Sequence, residues 1–220
     1  MRADLHIHTF HSKDNHQTLR EIFKAARDKD LGAIAITDHN TLAGAIEAMK
    51  SAPDWLIVMP GIEITSADGH ILGLNVQHEI PKGLSVPETI GRIHGAGGIA
   101  VAAHPYRKWS GLKESMIRMS QFDAIEAING RSTRRSNRRV LDLALELGMP
   151  MVAGSDAHKP SNIGAAVTVF PDSVRGRDEM VRSIINKQVL VEGSGRQTKE
   201  TFSYGGRWIA RWMRRDMRRL

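Results

Sequence analysis

The chain has 220 residues, 41% hydrophobic and 25% charged, which is typical of a soluble globular protein with enough length for one sizeable core. It contains no cysteine, so disulfides are excluded and any metal site must use nitrogen and oxygen ligands. Its net charge of +7 lies mostly in residues 196–220, where eight Lys and Arg face two acidic residues, so the charge does not predict a nucleic-acid surface on the rest of the chain.

Short apolar runs alternate along the chain with segments of helical periodicity. The predicted strands cover 2–8, 33–37, 55–65 (as two runs, W-L-I-V-M and G-I-E-I-T), 70–76, 99–104, 124–129, 150–156, 165–170 and 188–193. The predicted helices cover 19–30, 41–51, 86–95, 111–120, 137–147 and 176–187. Gly32 is expected to terminate the first helix as its C′ residue.

This alternation favours parallel strands joined by right-handed crossovers. About seven units in about 190 residues favour a closed or nearly closed β/α barrel over an open doubly wound sheet. No glycine-rich phosphate loop follows a predicted strand, which gives nucleotide-cofactor functions little support. No apolar run reaches the roughly 18 residues of a membrane helix, and we see no signal peptide, so we expect a cytoplasmic enzyme.

Histidines and carboxylates fall at the ends of the predicted strands. They are His6, His8, Asp38, His39, Glu63, His104, Asp156 and His158. Strand alternation puts His6 and His8 on one face, about 7 Å apart along the backbone, and the carboxyl ends of barrel strands converge on the rim where active sites lie. Imidazole and carboxylate ligands suit Zn, Mn or Fe, and Glu63 is the best candidate to bridge two ions. Two or three clustered ions suit phosphoester hydrolysis, because they lower the pKa of a bound water and neutralise the phosphate.

Six short motifs occur in a fixed order: D-L-H-I-H-T at 4–9, I-T-D-H-N at 36–40, G-I-E at 61–63, H-I-L-G-L at 70–74, A-H-P at 103–105 and G-S-D-A-H at 154–158. This ordered set resembles the PHP (polymerase and histidinol phosphatase) family over roughly residues 3–170. The resemblance implies a distorted (β/α)7 barrel with a two- or three-metal site. It implies one ion held by His6, His8, Glu63 and Asp156, a second by Glu63, His70 and His104, and a third by His39, His158 and a residue of the loop after the first strand.

The loop ligand is the ambiguous member of this set. In the family it is a His or Asp five or six residues beyond the H-x-H pair. Lys13 and Asp14 occupy those places here, flanked by His11 and His16. We favour Asp14 on its offset, with His16 as the alternative and His11 undecided.

Two arginines at strand ends, Arg107 and Arg131, are predicted to bind phosphate, since guanidinium forks match phosphate oxygens. Asp38 is expected to orient a liganding histidine, with direct ligation as the alternative. His78 and His94 are expected to be surface histidines. A further basic cluster opens a predicted helix and is either a solvated face or part of the binding surface: Arg134, Arg135, Arg138 and Arg139.

The chain is expected to divide into a barrel over 1–195 and a basic tail over 196–220. Large apolar side chains in the tail recur at helical spacing and predict a basic amphipathic C-terminal helix: Trp208, Ile209, Trp212, Met213 and Met217. Such a helix could bind nucleic acid, an anionic lipid surface or a partner helix, or could dock its tryptophans on the barrel.

The function these features favour is a metal-dependent phosphoesterase that hydrolyses a small phosphomonoester or a nucleotide. Two or three divalent ions (Mn, Fe or Zn, or Mg at an oxygen-rich position) would activate a water, and His158 or His39 could donate a proton to the leaving group. The alternatives are an exonuclease-like nuclease for single-stranded nucleic acid and a non-catalytic metal-binding regulatory module. The nearly complete ligand set argues against the latter.

Overall fold

A computed structural model describes residues 1–195, so the predicted tail helix lies outside the described residues. The strands are β1 (Arg2–Ile7), β2 (Ala33–Ile36), β3 (Ile57–Thr65), β4 (His70–Leu74), β5 (Ile99–Ala102), β6 (Ala124–Asn129), β7 (Met151–Gly154), β8 (Ala166–Val169) and β9 (Leu190–Gly193). The helices are α1 (Leu19–Asp28), α2 (Ala43–Ser51), α3 (Val86–Gly95), α4 (Glu114–Met119), α5 (Arg134–Leu147) and α6 (Arg177–Ile185), with a short 3-10 helix at Pro160–Asn162. Within residues 1–195, no helix is both long and apolar enough to cross a membrane.

Every predicted strand and helix of this region is present, with differences only at the ends, and the two runs predicted within 55–65 form the single strand β3. The prediction for Gly32 is wrong. Helix α1 ends at Asp28, and the residue that turns left-handed after it is Asp30, with φ of 53°. A side chain at Gly32 would instead collide with the side chain of Met1.

The strands form one curved sheet in the order β7-β6-β5-β4-β3-β2-β1-β8-β9. The expected parallel pairing holds for β1–β2, β2–β3, β5–β6 and β6–β7. It is wrong for β3–β4, β4–β5, β1–β8 and β8–β9, which are antiparallel. For the two pairs that involve β4 the cause is visible in the chain, because β3 and β4 are joined by a tight turn at 66–69, which is too short for a crossover helix.

The barrel closes between β1 and the segment that follows β7. Ile7 forms a parallel bridge with Ala157, and the backbone N–H of His8 donates to Ala157 O at 3.2 Å. The first residues of β1 pair instead with β8. Strand β1 is thus shared between the barrel and the β8–β9 extension, and this gives the nearly closed, distorted barrel that the sequence predicted.

Helices pack around this sheet through their apolar faces. Helix α1 starts with a capping box in which Thr18 and Glu21 satisfy each other's backbone N–H groups, and Ser85 and Glu88 do the same for α3. The strands carry buried residues on both faces, because one face lines the barrel interior and the other is covered by helices. The polar rim residues are therefore held by a rigid apolar framework.

Candidate metal centre

The candidate ligands lie at one rim of the barrel, where β1, β2, β3, β5 and β7 end. His6 belongs to β1, Glu63 to β3, and His104 and Asp156 follow β5 and β7. His70 is the first residue of its strand, yet it reaches the same rim because β4 runs antiparallel and pairs Thr65 with His70. Because β4 is reversed, its first residue, His70, lies beside ligands that come from the carboxyl ends of the other strands.

Glu63 is at the centre of the cluster and is only 1% exposed. Its Oε1 lies 2.7 Å from both His70 Nδ1 and His104 Nε2. Its Oε2 lies between 3.1 and 3.3 Å from three imidazole nitrogens, those of His6, His8 and His39. The two oxygens of one carboxylate therefore face two different sets of histidines, as a bridging ligand requires.

Asp156 joins the opposite side of the cluster. Its Oδ1 lies 3.5 Å from His8 Nε2 and 3.9 Å from His6 Nε2. His158 follows on the same loop, with Nδ1 3.5 Å from Asp156 Oδ1. The residues predicted to share one ion are thus brought together.

The loop after β1 brings Asp14 to this centre. Asp14 Oδ2 lies 2.9 Å from His158 Nε2 and 3.7 Å from His39 Nε2. His16 is exposed, and His11 turns away to contact Glu47 at 2.8 Å. Between the two alternatives that the sequence left open, the geometry favours Asp14 as the loop ligand.

The donor set fits divalent ions. Among residues 1–195, four overlapping groups have ligand atoms within 4.8 Å of one another: His8, His39 and His158; His6, His104 and Asp156; His6, His8 and Glu63; and His39, Glu63 and His70. His39 Nδ1 is buried without a hydrogen bond, although it lies 3.3 Å from Glu63 Oε2. His39 Nδ1 and Glu63 Oε2 are thus close together, but the angle between them does not suit a hydrogen bond. A cation bound by both atoms would account for this arrangement. Nitrogen and oxygen donors of this kind accommodate Zn, Mn or Fe.

The carboxylates of the cluster are held in their charged form. Burial alone would raise the pKa of Glu63, but the surrounding imidazoles, with His6 foremost, hold it well below its usual range. Burial likewise opposes ionisation of Asp156, whereas His6, His8 and Arg107 lower its pKa well below the usual value. A site that favours ionised carboxylates is prepared to accept positive charge.

The imidazoles differ according to their neighbours. Burial would lower the pKa of His8, but hydrogen bonds to Asp156 and Glu63 raise it to about 9. Burial lowers the pKa of His39 to about 4 and also lowers the pKa of His158. His39 and His158 are therefore neutral at neutral pH, as metal ligation requires, whereas His8 must release its proton when an ion binds.

Two candidate ligands have unusual backbone conformations. His104 has φ of 27° and Asp156 has φ of 54°, in the left-handed region that side chains rarely adopt. Such strain persists only where surrounding contacts impose it, and it is common at functional sites.

Gly154, beside His6, allows the close approach that aligns β7 with β1, because a Cβ there would lie 2.4 Å from His6 Cβ.

Asp38 lies behind the cluster and contacts none of the grouped ligand atoms directly. Its Oδ1 accepts from Ser12 Oγ at 2.7 Å and its Oδ2 from Thr9 Oγ1 at 2.7 Å. Ser12 Oγ in turn lies 3.1 Å from His8 Nδ1. This geometry favours the orienting role over direct ligation.

Sequence analysis missed one buried acid, Glu126 in β6, whose Oε1 lies 2.9 Å from His6 Nδ1. Its signal was present, since Glu126 is the one charged residue within the apolar strand A-I-E-A-I-N. Sequence alone does not show which face of β6 lines the barrel.

Both arginines predicted to bind phosphate lie at the edge of the cluster. Arg107 Nη1 donates to Asp156 Oδ2 at 2.7 Å, and its Nη2 donates to Asn129 Oδ1 at 2.6 Å. Arg131 Nη1 donates to Asp156 Oδ1 at 3.1 Å and lies 2.9 Å from His158 Nδ1. Their side chains are 23% and 30% exposed, so both arginines are partly accessible to solvent at the edge of the cluster.

The remaining predicted positions lie away from the cluster. His78 is exposed, and His94 contacts Asp123 at 2.7 Å on the surface. At the start of α5, Arg134, Arg135 and Arg138 line a cavity of about 400 Å³, while the Arg139 guanidinium lies 3.8 Å from the Tyr106 ring centroid. The basic cluster is thus divided between a cavity wall and the support of the loop that carries Arg107.

A nearly closed barrel with this cluster at its rim is the structure of a metal-dependent hydrolase, and comparison with known proteins agrees. The family model described as PHP domain matches residues 4–108, and the one described as PHP-associated matches residues 134–189. An uncharacterized protein of Methanocaldococcus jannaschii is 39% identical over 140 residues, which are 59% of this chain and 82% of that protein. The chain belongs to the PHP family.

Solved structures show the same fold. A candidate metal-dependent phosphoesterase from Bifidobacterium adolescentis aligns with a TM-score of 0.62 at 20% identity, over 84% of this chain and 96% of that one. A lesion-specific endonuclease from Pyrococcus furiosus aligns with a TM-score of 0.67 at 17% identity, over 88% of this chain and 59% of that one. At such identities the likeness establishes a shared architecture.

Proposed function

We propose that the protein is a phosphoesterase that hydrolyses a small phosphomonoester or a nucleotide with the help of two or three divalent ions. The observation that carries this proposal is the convergence of Arg107 and Arg131 on Asp156, at the mouth of an imidazole and carboxylate cluster. Divalent ions held by the cluster, together with the two guanidinium groups at its edge, suit the binding of a doubly charged oxyanion. A phosphate monoester is such an anion.

For the ligand roles we adopt the sets that the resemblance to the PHP family implies, with Asp14 as the loop ligand. His6, His8, Glu63 and Asp156 would hold one ion, Glu63, His70 and His104 a second, and His39, His158 and Asp14 a third. When bound, divalent ions at such sites polarise phosphoryl oxygens and provide a nucleophile from water at neutral pH.

The side chains of this protein would bind and orient the substrate. The Nη groups of Arg107 are fixed by Asp156 and Asn129, so this guanidinium is presented at the mouth in one orientation. Hydrolysis breaks the phosphorus–oxygen ester bond, and water supplies both the oxygen that joins phosphorus and the proton taken up by the departing alkoxide. Because the low pKa of His39 and of His158 keeps both neutral, we propose that they act as ligands more than as proton donors.

One feature of the rim favours nucleotides among the phosphomonoesters. Trp109 is 89% exposed, on the loop after β5. It lies between Arg107, which contacts Asp156, and Ser110, whose carbonyl accepts the His70 N–H at 2.8 Å. Lys108 Nζ lies 5.1 Å from the indole centroid. An exposed indole beside a cation, within a few residues of the cluster, offers a stacking surface for a base.

The test is release of inorganic phosphate by the Mn²⁺-loaded protein from a panel of nucleotides and aliphatic phosphomonoesters. We expect turnover of at least one class and its loss in Glu63→Gln. Absence of phosphate release from the whole panel, with metal binding demonstrated, would contradict the proposal.

A nuclease acting on single-stranded nucleic acid is the second candidate, because the exposed Trp109 and the basic residues 196–220 also suit a polynucleotide. A labelled oligonucleotide separates the two. Mn²⁺-dependent shortening of the oligonucleotide would support the nuclease, whereas an intact oligonucleotide with hydrolysis of nucleotides would support the phosphomonoesterase.

A further inference from the structure

Glu126 is the buried acid of the rim that the proposed ligand sets do not use. It lies in β6 and is 1% exposed. Its Oε1 lies 2.9 Å from His6 Nδ1, and its Oε2 accepts the His104 N–H at 2.7 Å and the Asn129 Nδ2–H at 3.0 Å. Both oxygens therefore contact residues that present or support candidate ligands.

We infer that Glu126 is a positioning residue that fixes the tautomer of His6 and the placement of His104 and Asp156 for metal binding. This inference rests on the metal centre of the proposed function.

The contact to His6 decides which ring nitrogen is free. A carboxylate can only accept a hydrogen bond, so His6 Nδ1 must carry the hydrogen. With Nδ1 committed to Glu126, His6 Nε2 is the nitrogen that faces the cluster, 3.2 Å from Glu63 Oε2 and 3.2 Å from His8 Nε2, and a cation bound between these atoms would take its lone pair. A carboxylate behind a liganding imidazole fixes the ring orientation and increases its basicity as a ligand.

The second oxygen of Glu126 contacts His104, which follows β5, and Asn129 at the end of β6 itself. Its bond to the His104 N–H holds a residue whose backbone is in the left-handed region, at φ of 27°. Asn129 extends the contact, because its Nδ2 also donates to Asp156 Oδ2 at 3.3 Å and its Oδ1 accepts from Arg107. One acid on β6 thus reaches candidate ligands that follow β5 and β7 as well as one on β1.

Glutamine at this position cannot reproduce these contacts. If its amide oxygen faces His6, its NH₂ group meets the N–H donors of His104 and Asn129. If the amide is flipped, the NH₂ group faces His6 Nδ1 and favours the tautomer with hydrogen on Nε2, which cannot ligate. The first orientation leaves buried N–H donors unsatisfied, and the second puts the hydrogen of His6 on the nitrogen that faces the cluster.

The experiment is titration of the full chain with Co²⁺, with wild type, Glu126→Gln and Thr89→Val compared by affinity and by the visible d–d spectrum. Thr89 is a matched control, since it is fully buried and loses one hydrogen bond, to Ser85 O, but contacts none of the candidate ligands in the described hydrogen bonds. We expect Glu126→Gln to bind about 10–100-fold more weakly with a changed spectrum, and Thr89→Val to match wild type.

Wild-type affinity and spectrum in Glu126→Gln would overturn the inference, whereas failure of the wild type to bind Co²⁺ would overturn the metal centre itself. Should Glu126→Gln not fold, ¹⁵N NMR of the histidines in Zn²⁺-loaded wild type decides the question. A neutral His6 ring with hydrogen on Nδ1 is expected, and hydrogen on Nε2 would refute the assignment.

Discussion

Replacing Gly154 by alanine tests how the closure of the barrel determines the candidate site. A Cβ at this position would lie 2.4 Å from His6 Cβ and 2.7 Å from His6 N, where ordinary contact begins at 3.4 Å. The strands must therefore separate by about 1 Å. Neither can yield freely, because β1 pairs with β2 and His6 O accepts the Ala157 N–H at 3.3 Å.

We expect Gly154→Ala to lose about 1–3 kcal/mol of unfolding free energy, or about 2–12 °C in Tm for a domain of this size. We also expect weaker Mn²⁺ binding, because His6 moves with β1. Calorimetry and Mn²⁺ titration measure the two effects. Gly91→Ala is the control. Gly91 lies in α3, and no atom is within 4 Å of an added Cβ. Because alanine favours the helix more than glycine does, we expect the free energy of unfolding to rise by about 0.5–1 kcal/mol. Wild-type stability and Mn²⁺ affinity in Gly154→Ala would refute this reasoning.

Three further substitutions test the roles proposed at the rim. Glu63→Gln removes the charge that both sets of histidines share, so Mn²⁺ affinity should fall by at least about 10–100-fold, and an unchanged titration would exclude the bridging role. Arg107→Lys keeps the charge but loses the fixed fork, so inhibition by inorganic phosphate should weaken on the order of tenfold; equal inhibition constants would argue against phosphate contact. Trp109→Ala should raise KM for nucleotides by roughly 5–100-fold but leave KM for glycerol phosphate unchanged. Equal effects on both substrates, or the same effect in the remote Trp55→Ala, would dismiss the stacking surface.

The order of strands and helices was predictable because the apolar periodicities along the chain are distinct. The reversal of β4 was not predicted, although the tight turn before His70 was its signal. Alternation of strands and helices suggested parallel pairing throughout, and for β4 that rule fails because β4 follows β3 without a helix between them. Similarly, the sharing of β1 between two neighbours depends on long-range pairing that no local pattern encodes.

Most candidate ligands were predictable because polar residues at the ends of apolar strands are conspicuous. The geometry adds what spacing could not, namely that the Asp14 carboxylate lies 2.9 Å from His158 Nε2. Glu126 was missed because it lies within a strand, where sequence does not show which neighbours a side chain faces. Contacts across the barrel, such as that between β6 and β1, come from tertiary structure alone.

The most direct test of the metal centre is anomalous diffraction from a crystal of the Mn²⁺-loaded protein. We predict at least two manganese peaks within ligand distance of Glu63, one beside each carboxylate oxygen, with His6, His8, His104 and Asp156 among their ligands. A crystal with no manganese at the rim, or with manganese bound only at other surfaces, would contradict the central claim.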